Sequence, residues 1–115
     1  MPDRGNPSPA ERGAGTLDSK RLLGRWVHSH EEDAKSGLVF RSPEHRFPPS
    51  RGREAWELRA DGTLGIRRPG AADVPEEIEG TWALEGAELV LYEEGAAERR
   101  LTVVEAGEGR LVLRP

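Results

Sequence analysis

The 115-residue chain contains no cysteine. Disulfide staples and thiolate catalysis are therefore excluded, and the composition fits a reducing, cytoplasmic setting. Aromatic side chains are scarce, with three Trp, two Phe and one Tyr. Each large ring then carries a disproportionate share of any core. No apolar run approaches the roughly 18 residues of a transmembrane helix. The first residues, Met1-Pro2-Asp3-Arg4, lack the apolar centre of a secretory signal. Positive charge is not in excess: 17 Lys and Arg face 21 Asp and Glu, for a net charge of -4. That balance argues against a nucleic-acid partner. A charged fraction of 33% and a mean hydropathy of -0.70 would suit a disordered chain, but after Leu22 the apolar residues recur regularly.

The chain divides near residue 16. Residues 1–16 hold Pro2, Pro7, Pro9, Gly5, Gly13 and Gly15 and almost nothing to bury. Such a segment does not offset its own ordering entropy, so a disordered tail is expected. Residues 17–115 are expected to form one domain. Leu17 to Leu23, with Asp18 or Ser19 as N-cap, predicts a single helical turn. Strand patterns follow over residues 25–31, 36–41, 53–60, 63–67, 77–84, 88–93, 99–105 and 110–114. The clearest alternation places Ile78, Gly80, Trp82 and Leu84 on one face. Asp61-Gly62 and Glu85-Gly86 read as tight turns. Eight short strands joined mainly by hairpins predict an all-β fold, a small eight-stranded up-and-down antiparallel barrel. Closure removes the sheet edges, although a sandwich would use the same strands.

Leu23-Gly24-Arg25-Trp26, then Gly80-Thr81-Trp82-Ala83-Leu84 and Leu89-Val90-Leu91-Tyr92, resemble the bacterial lipocalin-like, or calycin, small β-barrel proteins. The resemblance covers Leu22 to Leu113. It implies that Trp26 packs across the closed end of the barrel, covered by an arginine of the last strand, with Arg110 and Arg114 as candidates. The absence of cysteines and the short strands set the chain apart from secreted lipocalins and from carriers of large lipids.

Three constellations bear on function. Along a strand, His28 and His30 share a face with Trp26. Two inward imidazoles suit acid–base work or ligand binding; alternatively the strand leaves the barrel by His30 and both rings are wet at the mouth. A cupin-like metal site is not expected, because Ala34 and Lys35 stand where that motif needs Glu. The second constellation runs from Arg41 to Arg53. Its four arginines (Arg41, Arg46, Arg51, Arg53) and Glu44 sum to about +3 on an acidic chain. Arg51 and Arg53 suit a carboxylate or phosphate at the barrel mouth, or they pair with Glu31, Glu32 and Asp33. In the third, Glu54 shares the face of Trp56 and could pair with a histidine. The expected function is binding of a small anionic or amphiphilic molecule at the barrel mouth through His28, His30, Arg51, Arg53 and Trp56. Catalysis is left open, with His28, His30 and Glu54 as the acid–base candidates; an interaction protein with a filled barrel is the third reading. No metal, cofactor, nucleic-acid or membrane partner is expected.

Overall fold

The computed structural model describes residues 18–50 and 52–115. The expected tail over residues 1–16 lies outside the described residues, as does Arg51. A 3-10 turn, Ser19–Leu22, opens the domain, with the Asp18 carboxylate accepting from the Lys20 N–H at 2.9 Å. Eight strands follow: β1 (Gly24–His28), β2 (Leu38–Arg41), β3 (Ala55–Leu58), β4 (Thr63–Arg68), β5 (Glu76–Glu85), β6 (Glu88–Glu93), β7 (Arg99–Gly107) and β8 (Arg110–Arg114).

The strands close into an antiparallel barrel in the order β1-β2-β8-β7-β6-β5-β4-β3. From β3 to β8 each strand pairs with the next, as the up-and-down pattern predicts. At the other side β1 lies between β2 and β3 and is antiparallel to both. β2 and β3 therefore run in the same direction, and residues 42–54 must carry the chain from one end of the barrel to the other. A two-residue hairpin cannot make that connection; it takes about a dozen residues. Pro43, Pro48 and Pro49 stiffen the crossover.

Local chemistry fixes the turns. Gly62 has φ +90°, which favours glycine. Beside it the Asp61 carboxylate accepts from the Thr63 N–H at 2.9 Å and from its hydroxyl at 2.6 Å. Trp82 then ties β5 to this hairpin, its indole N–H donating to the Arg59 carbonyl at 2.9 Å. At Gly80 a Cβ would collide with the Tyr92 carbonyl oxygen, so β5 and β6 approach closely only through glycine.

The inward files of the strands supply Trp26, Phe40, Trp56, Leu58, Leu64, Ile66, Leu89, Leu91, Leu101, Leu111 and Leu113, and the opening turn adds Leu22, all buried in one cluster. Each such side chain contributes about 1.5–3 kcal/mol. Trp26 and Trp56 are register partners across β1 and β3. The Trp26 indole N–H donates to the Leu22 carbonyl at 2.9 Å, so the opening turn plugs the floor. Arg110, one of the candidates to cover Trp26, instead pairs with Glu105. A second small apolar layer lies outside: Val39 and Val112 pair in register and are buried. Gly37 packs against Val112, so the β1–β2 connection folds back over this outer face. Tyr92 points outward and is exposed. No helix among the described residues is long and apolar enough to cross a membrane.

Candidate functional site

His28 is the last residue of β1, one inward step beyond Trp26. Its ring stacks on its register partner Phe40 at 4.9 Å, and Phe40 lies 4.3 Å from Trp56. His28 and Trp56 are thus brought together by a column of rings at the mouth. His28 Nε2 lies 3.0 and 3.1 Å from the Asp33 oxygens. Asp33 is held in place by the Val39 N–H, which donates to it at 2.9 Å. The acidic partner of His28 is therefore Asp33. Glu54 reaches His28 only through its main-chain carbonyl, which accepts the His28 N–H at 2.9 Å.

His30 does not continue the inward file. The chain leaves the strand at Ser29, which is buried and donates its hydroxyl to Glu32 at 2.8 Å. The Ser29 N–H still donates across to the Val39 carbonyl at 2.8 Å, and the chain turns away at the next residue. His30 then begins a 3-10 turn, His30–Glu32, and its side chain is 46% exposed. Its Nε2 sits 3.3 Å from the Ser50 hydroxyl and 3.7 Å from Glu31. Among the described residues no group of three or more His, Asp or Glu is arranged to hold a metal ion.

The acidic run 31–33 and the arginine-rich crossover form a single network. Arg53 donates to both Glu31 oxygens at 2.8 and 2.6 Å, to the His28 carbonyl at 3.1 Å and to the Pro48 carbonyl at 2.7 Å. The same guanidinium lies 4.8 Å from the centre of the Phe47 ring. Arg41 grips Glu32 at 2.7 and 2.9 Å, with His45 3.8 Å from the same carboxylate. The Arg53 hydrogen bonds hold the Glu31 carboxyl down at about 2, and those of Arg41 and Ser29 do the same for Glu32, also at about 2. These arginines clamp the crossover to the end of β1.

The mouth holds four further charges that sequence reasoning missed as a group. Glu54 accepts the Trp56 indole N–H at 2.8 Å. Arg68 lies 3.4 Å from Glu54 and 3.0 Å from Glu93. Arg99 lies 3.9 Å from Glu54, its guanidinium 5.8 Å from the Trp56 ring centre. A signal for this was available. Glu54 stands two residues before Trp56, Arg68 two after Ile66, Glu93 two after Leu91, and Arg99 two before Leu101. Each is the next inward position beyond the apolar file, and the alternation of up and down strands delivers all four to the same end.

Buried apolar side chains line the barrel interior. Three concavities, of about 360, 540 and 390 Å³, open on the surface. None is lined by His28 or by the leucines of the core. The first is a groove along β1, β3, β4 and β5, floored by Val27, Ala55 and Gly65. The second lies beside the floor, at Arg21, Trp26 and the β7–β8 turn. The third sits on the rim of the mouth and is lined by Gly52, Arg53, Arg67, Arg68, Pro69, Gly70 and Pro75, with no carboxylate residue among the described residues of its lining. No protein-family model, curated protein or solved structure matches the chain.

Proposed function

We propose that the chain is a lipocalin-like bacterial binding module of the cytoplasm that takes a small anionic or amphiphilic molecule at the rim of the barrel mouth. One observation carries this reading: among the described residues the rim pocket of about 390 Å³ is lined by Arg53, Arg67 and Arg68 and by no carboxylate residue, on a chain of net charge -4. That volume lies in the range of small-molecule sites, roughly 300–1,000 Å³. Arginine forks suit carboxylate and phosphate oxygens. With the inward faces taken up by buried apolar side chains, an anion is better placed at the charged rim than in the core. His28 and Asp33 form an acid–base pair in reach of each other, but none of the three concavities meets them, so binding is favoured over catalysis.

The test is a thermal-unfolding screen of small anions at constant ionic strength. A ligand at a hundredfold excess over its Kd stabilises the fold by about 2.7 kcal/mol, about 10–20 °C for a domain of this size. A panel of carboxylates, phosphates and sulfates that shifts the Tm no more than sodium chloride does would overturn the reading. An interaction protein with a filled barrel is the second reading. It is favoured by the outer groove, whose walls alternate Arg25, Arg59 and Arg67 with Glu57, Glu77 and Glu79.

A further inference from the structure

The three arginines of the rim pocket are not equivalent. Arg53 is only 10% exposed and is closed in bidentate fashion by Glu31. Arg68 is closed by Glu93, with Glu54 also in reach. Both forks already hold a carboxylate. Arg67 is exposed on the outward parity of β4, where it also lines the outer groove opposite Glu77, and it makes no ion pair within 4.0 Å among the described residues. The pocket therefore offers one uncommitted guanidinium fork beside two whose charge is balanced.

That arithmetic discriminates between anions. One planar fork matches one carboxylate through two parallel hydrogen bonds. A dianionic phosphate monoester calls for more positive charge than one guanidinium supplies. It would also meet like charge across the strand pair, because Glu77 is the register partner of Arg67 and Glu76 that of Arg68. Like charges at such close quarters disfavour the dianion more than the monoanion. Pro69 and Pro75 line the same pocket and give it a stiff apolar part, and Pro69 packs against Gly52, where a Cβ would stand 3.1 Å from its ring. At Gly70 a Cβ would collide with the Val74 carbonyl oxygen, so the β4–β5 loop is closed on itself. A preformed apolar wall beside a single cation favours a molecule with one charged end and a compact apolar body.

We infer that the rim pocket takes a small monocarboxylate with a compact apolar body, its carboxylate seated on the Arg67 fork and its body against Pro69 and Pro75. This rests on the anion-binding reading above. The test is amide NMR titration of the full chain with benzoate, hexanoate, phenyl phosphate, inorganic phosphate and the neutral benzamide. Benzoate and hexanoate are expected to move the Gly52, Arg67 and Gly70 resonances saturably, and benzamide to leave them in place. Arg67→Gln, at an exposed position, is expected to weaken benzoate by about tenfold or more, a factor equal to 1.4 kcal/mol. Arg67→Lys, which keeps the charge but loses the fork, is expected to fall between the two. Glu77→Gln should narrow the gap between benzoate and phenyl phosphate. Tighter binding of phenyl phosphate than of benzoate at these resonances would overturn the monocarboxylate class and leave the anion site standing. Unchanged benzoate affinity in Arg67→Gln would overturn the seat on Arg67. Silence of these resonances with every anion would overturn the site itself.

Discussion

Trp26 and Trp56 face each other in register across β1 and β3, yet their indoles serve opposite ends of the barrel. Trp26 donates to the main-chain carbonyl of Leu22 and is sealed beneath the opening turn. Trp56 donates to a carboxylate, Glu54, which belongs to the ionic group with Arg68, Glu93 and Arg99. The floor is closed by apolar contact and one neutral hydrogen bond; the mouth is closed by charge. The same residue type in the same register therefore reports two environments. Strand direction decides which one: β1 and β3 are antiparallel, and each indole reaches back along its own chain, toward Leu22 or toward Glu54.

If that contrast is right, the two ends respond differently to substitution. The largest effect is expected at the floor. Trp26→Ala should destabilise the domain by about 3–5 kcal/mol, measured by urea unfolding, because it removes a buried ring and opens a cavity under the Leu22 turn. Arg68→Met should cost less, about 1–3 kcal/mol, because it leaves Glu93 and Glu54 facing each other in a partly solvated mouth. Adding Glu93→Gln to Arg68→Met should restore part of that loss. Equal losses for Trp26→Ala and Arg68→Met would erase the distinction between the two ends.

The smallest effect belongs to the clamp outside the mouth. The Glu31 and Glu32 carboxyls sit at about 2 in the folded chain, against an ordinary value of 4.5. A folded-state value below the unfolded one gives stability that is present above the unfolded value and lost as pH falls. The contribution of the clamp should therefore be complete above pH 4.5 and drain away as pH falls toward about 2. Both carboxylates are partly exposed, so the slope is shallow. Arg41→Gln should flatten the part due to Glu32 in a series of urea midpoints taken across that range. An unchanged slope would show that the clamp adds nothing to the mouth.

Much of the barrel was legible because alternation and turn residues are local signals. Ile78, Gly80, Trp82 and Leu84 defined β5, and Asp61-Gly62 defined the β3–β4 turn. The insertion of β1 between β2 and β3 was not legible, since a proline-rich connection does not state which strand it passes. The inward side of His28 followed from parity with Trp26. His30 did not follow it, because β1 ends at His28 and a 3-10 turn begins at His30. Parity also placed Glu54 on the inner face without naming its partners. Those partners, Arg68 and Arg99, come from strands 14 or more residues away and meet it only once the barrel closes.

The seam between β2 and β8 joins Leu38 to Leu113 and Arg41 to Arg110, residues far apart in the sequence. Until β8 pairs, the seven strands before it form an open sheet whose edges, β2 and β7, present unpaired backbone groups to any passing chain. Closure of the barrel waits for the last strand to find the second.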